Sequence, residues 1–234
     1  MAADKLYLIS REIFALALVR LSSLLFFILF SGVLFAEPVM RISTLDDTHH
    51  FPQLETLLSR AYQQLGYKVQ FVFLPGQRAL TEAEKGQGID AEALRIDLGE
   101  EPINLIKVPE PLFQLHVSAF VTRTPSEPIT WKKLAYFRVS SVRGFKIVER
   151  NVSHHKLIYV ANIAQAFQLL AKDRVDVVIA PKKVGQGLLK TLGLNQIYPL
   201  TPALQVLPVY HYIHAKHAHL LPELTMTLKA LKSP

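Results

Sequence analysis

Cysteine is absent from the 234 residues. Disulfide frameworks, thiol nucleophiles and cysteine-ligated zinc are therefore excluded. Charge is also sparse: 19% of residues are Asp, Glu, Lys or Arg, against 50% hydrophobic. A chain with that balance buries a core and is not a disordered tail. A basic stripe is lacking too. The net charge is +7, but the 26 Lys and Arg are spread along the chain. That suits an anionic partner and gives no footprint for nucleic acid. No repeat or heptad period is present, and the length allows one or two domains of about 100–200 residues.

What is there begins with an apolar leader. Leu21 to Ala36 (LSSLLFFILFSGVLFA) runs sixteen residues without a charge, after Arg20 and before the Glu37-Pro38 break. A basic flank, a short apolar stretch and a small residue before a break describe a secretory signal. At 1.5 Å per residue it spans roughly 24 Å, short of the ~30 Å hydrocarbon core. We expect residues 1–36 to be a signal peptide cut after Ala36, leaving 198 residues at +6 in the periplasm. The alternatives are an uncleaved anchor reaching back through Ile13, or a core helix, which its all-round apolarity disfavours. A start at Val19 would give a leader of ordinary length.

Beyond Pro38 strands and helices alternate. Val39–Leu45 reads as a strand. A helix from Pro52 carries Leu54, Leu57, Leu58, Ala61, Tyr62 and Leu65 at helical spacing and stops at Gly66. Lys68–Leu74, Ile89–Ile96, Asn104–Val108, Arg138–Val142, Leu157–Val160, Val175–Ala180 and Gln196–Leu200 read as strands. Helices fall at Gln77–Lys85, Gly144–Arg150, from Asn162 to Lys172, from Pro181 to Leu192 and from His217 to Lys232, with a brief one at Trp131–Ala135. Two long extended runs stand out, Leu112–Thr122 and Leu204–Ile213. Strands separated by helices imply parallel pairing. Two such sets joined by two long runs imply an α/β fold of two lobes, with two mixed sheets flanked by helices and joined by two hinge strands. Residues 37–116, completed by 209–234, form the first lobe, and 117–208 the second. Ligands in open α/β sheets bind beyond the carboxyl ends of the strands, hence between the lobes.

Six residues are candidates for that site. Asp47 follows a strand end, beside Asp46. Arg78 opens a helix, where free amides favour anions. Arg95 ends a strand. Ser140, Ser141 and Arg143 precede Gly144 at a strand-to-helix turn. Guanidinium groups suit planar oxyanions because the fork bonds both oxygens.

Four passages, MRISTLDD (40–47), PGQRALTEAEKGQGIDAEALR (75–95), FRVSSVRGFKIVE (137–149) and AFQLLAKDRVDVVIAP (166–181), occur in the order found in periplasmic solute-binding proteins of family 3, the polar amino-acid receptor type that serves ABC transporters. The chain resembles that family from about Met40 to Lys232. The resemblance implies a type 2 periplasmic-binding fold, capture of a small polar ligand, and an ABC transporter permease or a sensor kinase as partner. It implies no cofactor, no metal and no catalysis. Membrane contact is expected only through an uncleaved leader. Two positions depart from the pattern: Phe145 stands after Gly144 where the family has Thr or Ser, and Pro181 stands where a carboxylate holds the ligand's ammonium. An anionic or aromatic-containing solute therefore fits as well as an amino acid.

Other signals point elsewhere. Four of the nine histidines lie in HYIHAKHAH, at 211, 214, 217 and 219. On a strand running into a helix their side chains diverge, so a solvated junction is expected rather than zinc. Glu92 and Asp90 are the acid–base candidates of a lyase or dehydratase reading. A third reading is an interaction module whose ligand chemistry is lost, which Phe145 and Pro181 favour over an enzyme.

Overall fold

The computed structural model describes residues 37–45, 52–99, 104–153 and 157–232. The leader, Asp46 and Asp47, and the His49-His50 and His154-His155 pairs lie outside the described residues.

The alternation read from the sequence is present. β1 (Val39–Leu45) leads to α1 (Pro52–Gln64), β2 (Lys68–Leu74), α2 (Gly76–Lys85) and β3 (Ala91–Ile96). A short β4 (Leu105–Lys107) precedes the first long strand, β5 (Phe113–Val121). After a 3₁₀ turn at Lys133–Tyr136 come β6 (Val139–Val142), α3 (Lys146–Asn151), β7 (Leu157–Val160), α4 (Ile163–Ala171), β8 (Val177–Pro181) and α5 (Lys182–Leu192). β9 (Tyr198–Pro199) and the second long strand, β10 (Gln205–His214), lead through a 3₁₀ turn at Ala215–Leu220 into α6 (Leu221–Lys232).

The local chemistry explains these bounds. Asn162 caps α4 by accepting the Gln165 amide at 2.9 Å. The apolar spacing of α1 buries Leu54, Leu58, Ala61 and Tyr62, and α6 buries Leu224 and Leu228. The closing helix is in two pieces: Pro222 lies in the first turn of α6, and the residues from Ala215 form the separate 3₁₀ turn. Proline lacks the amide that a continuous helix requires there.

Strand order is β2-β1-β3-β10-β5-β8-β6-β7, with β4 added on β10 and β9 on β5. β1 is parallel to β2 and β3, and β6 is parallel to β7 and β8. The long strands run antiparallel to their neighbours. The expectation of two separate sheets is corrected here. The ladder is a single ten-stranded one, because the two long runs pair with each other. Gln205–Val209 of β10 faces Val117–Phe113 of β5. Each strand then diverges, β5 joining β8 from Val117 onward and β10 joining β3 from Val209 onward.

The apolar residues fall into two clusters. The larger includes Leu58, Tyr62, Ala93, Val117, Leu134, Ile213 and Leu228. The smaller packs α4 and α5 on β5 and β8 around Phe120 and Phe167, whose rings meet edge to face at 5.1 Å. Gly185 makes this possible: a Cβ there would lie 2.3 Å from the Phe120 ring.

Candidate functional site

A cavity of about 100 Å³ lies where strand ends from both parts of the ladder converge. β1 supplies Leu45, the exit of β2 supplies Pro75 and Gly76, and β3 supplies Arg95 and Ile96. Opposite stand Val142, Arg143 and Gly144 after β6, Asn162 after β7, and Pro181 at the end of β8. Leu115 and Val209 of the two long strands also line it. The carboxyl-end rule for open α/β sheets names this place.

The walls touch at one edge. A Cβ on Gly144 would come within 2.8 Å of the Gln77 backbone nitrogen. Gly144 also has φ +86°, a conformation only glycine adopts freely. Further along, the Arg150 guanidinium donates to the Asp97 and Leu98 carbonyls, 3.3 Å each. The turn after β6 and helix α3 therefore rest on α2 and the exit of β3.

The lining is apolar apart from a few groups. Three cations line it, Arg95, Lys146 and the solvent-exposed Arg143, and no Asp or Glu among the described residues does. Two of the three are already compensated. Arg95 pairs with Glu92 at 2.9 Å and also donates to the Gly76 carbonyl. Glu92 is fully buried and accepts the Ser43 hydroxyl at 2.5 Å. Burial pushes its carboxyl above the usual range, and Arg95 and Ser43 pull it back. Lys146 pairs with Glu149 at 3.3 Å, and the other Glu149 oxygen accepts the Gly144 amide at 2.7 Å. Arg143 differs. Its guanidinium lies 5.0 Å from the centroid of the Tyr159 ring, a cation–π contact that orients it without neutralising it. Among the described residues it has no ion pair.

The sequence candidates separate accordingly. Arg95 and Arg143 both reach the cavity. Arg78 is exposed on the first turn of α2 and does not line it. Ser140 and Ser141 are buried; their hydroxyls donate to Ile158 O at 3.0 Å and Ile179 O at 2.9 Å, on the flanking strands. The structure does not bring these two to the cavity. Asp47 lies outside the described residues.

Lys146, Glu149 and the coupling of Glu92 to Arg95 are not among the sequence candidates. The lysine and glutamate sit three apart on one helix turn, a legible signal. The buried pair was hidden. Residues three apart on a regular strand face opposite ways, but β3 takes three steps from Glu92 to Arg95 while β10 takes two, from Tyr212 to Tyr210. The extra residue is a bulge that turns both side chains to one side.

The acid–base candidates have structural partners. Asp90 accepts the Arg41 amide at 2.8 Å and pairs with Lys216 at 2.7 Å and His217 at 3.0 Å. Burial opposes its ionisation, but these bonds outweigh burial and hold the carboxyl below its usual range. The solvated histidine junction needs correction at one residue. His211 is fully buried. Its Nδ1 is 3.3 Å from the Ala93 carbonyl and its Nε2 is 2.8 Å from the Tyr62 hydroxyl. Both ring nitrogens have partners, which is what makes burial tolerable.

No protein-family model matches the sequence. An uncharacterized protein of Shewanella oneidensis is 28% identical over 209 residues, covering 84% of this chain and 78% of its own. Among solved structures, a histidine kinase sensor domain with similarity to periplasmic binding proteins aligns at TM-score 0.72 and 15% identity, over 83% of this chain and 90% of its own. An ancestral arginine-binding protein bound to glutamine aligns at 0.69 and 17%, over 84% and 93%. The substrate binding protein of an amino acid ABC transporter aligns at 0.67 and 15%, over 83% and 93%. The fold is that of type 2 periplasmic binding proteins. The three solved structures named above are two binding proteins and a sensor domain.

Proposed function

We propose that this chain is an exported periplasmic binding protein that closes two lobes on a small organic anion with an apolar body. Residues 1–36 serve as the signal peptide. The lobes are 37–116 with 209–234, and 117–208, and they hinge where β5 and β10 exchange partners. The observation that carries this reading is Arg143, a solvent-exposed guanidinium with no ion pair among the described residues, which lines a largely apolar cavity at converging strand ends. A guest touching both walls favours the closed state by its differential affinity. Arg95, clamped by Glu92, offers its remaining donors from the opposite wall. Asp47 and Arg78 are the proposed orienting groups. The captured guest is then delivered to an ABC transporter permease or signalled to a sensor kinase, in keeping with the transporter binding protein and the sensor domain named above.

Calorimetry against a panel of aliphatic and aromatic carboxylates, amino acids and sugars tests this. A carboxylate should bind, and Arg143→Ala should weaken it by about 1.5–3 kcal/mol, roughly ten- to a hundredfold in Kd. Binding confined to neutral sugars, or unchanged by the substitution, would reject the assignment.

A second reading is favoured by the narrowness of the cavity and the backbone contact of Gly144 on Gln77. It is an interaction module that stays shut and takes no guest. Failure of every compound to bind, with solution scattering unchanged throughout, is the outcome it predicts.

A further inference from the structure

We infer that Glu149 sets the charge of the guest: it neutralises Lys146 inside the cavity and restricts binding to a single negative charge. The inference rests on the anion-binding reading above and adds the ligand class. Lys146 and Arg95 line the cavity with Arg143, and each of the first two has its own carboxylate, Glu149 and Glu92. Among the described residues the cavity thus presents three cations, of which only Arg143, itself solvent-exposed, has no carboxylate partner. Both Glu149 oxygens are engaged, one by Lys146 Nζ at 3.3 Å and one by the Gly144 amide at 2.7 Å. The carboxylate is 19% exposed, so solvent screens the pair only in part. A dianion entering here would place its second charge among largely apolar walls, with no unpaired cation besides Arg143 among the described lining residues. It would lose hydration without recovering it. A monoanion meets Arg143 and leaves its body to Phe145, Ile163 and Val184, which also line the cavity.

The test compares butanoate with butanedioate, equal in carbon count and differing in charge, by calorimetry on wild type, Glu149→Gln and the double variant Glu149→Gln/Lys146→Met. Glu149→Gln keeps an oxygen for the Gly144 amide and removes the charge. The wild type should prefer butanoate. Glu149→Gln should move the preference toward butanedioate by about tenfold or more, and Lys146→Met in that background should abolish the gain. A wild type with no preference, or a Glu149→Gln ratio equal to wild type, overturns the assignment. So does a gain that survives Lys146→Met. If the wild type binds neither acid, the anion-binding reading falls. A Lys146-dependent gain of butanedioate in Glu149→Gln would then still support the role of Glu149, and no gain would overturn it as well. Thermal denaturation of each variant separates lost binding from lost fold.

Discussion

Among single residues, His211 carries the clearest dependence on pH. Ala93 offers its ring only an acceptor, so Nδ1 holds the proton and Nε2 accepts from the Tyr62 hydroxyl. Burial lowers the imidazole to about 4, against weaker opposing bonds from the Ala93 and Glu92 backbone. The unfolded chain binds its proton near 6.5. Between those values the unfolded state holds more protons, so stability rises with pH there. The contribution is complete above about 6.5 and is lost as pH falls to about 4, some ~3 kcal/mol at most. Urea denaturation across that window should show the loss, and His211→Asn should flatten it. Tyr62→Phe leaves Nε2 buried without a donor and should cost about 1–3 kcal/mol by the same measurement.

Strand β3 shows how one element sets a site. Its bulge brings Glu92 and Arg95 together at 2.9 Å, with only 7% of Arg95 exposed. Removing one partner of such a pair strands a charge in the interior. Glu92→Ala should destabilise the protein by about 3–5 kcal/mol, while Glu92→Met/Arg95→Met should restore most of that. Equal losses in the single and double variants would show that the pair is not coupled. The double variant also removes a cavity cation, so weakened carboxylate binding alongside recovered stability would separate the two roles of Arg95.

For the molecule as a whole, closure is the property at stake. The turn after β6 meets α2 through Gly144, where a side chain would strike the Gln77 backbone rather than a movable chain end. Gly144→Val therefore should hold the walls apart. Its solution-scattering radius of gyration should exceed that of the wild type and fail to shrink with carboxylate. A variant as compact as wild type would show that the contact does not limit closure.

The sequence by itself determined the order of elements and the two long runs, because apolar periodicity, caps such as Asn162 and breakers such as Gly86 act locally. It also placed Arg95 and Arg143 at strand ends, since a strand end is a local event. Tertiary structure alone decided that the long runs pair into one ladder, that a bulge opposite β10 couples Glu92 to Arg95, and that Ser140 and Ser141 spend their hydroxyls on neighbouring strands. Each depends on which distant backbone lies alongside. That Arg143, alone of the three cations lining the cavity, has no carboxylate partner among the described residues was likewise settled only by packing, because whether a charge is met depends on distances in space that spacing along the chain does not encode.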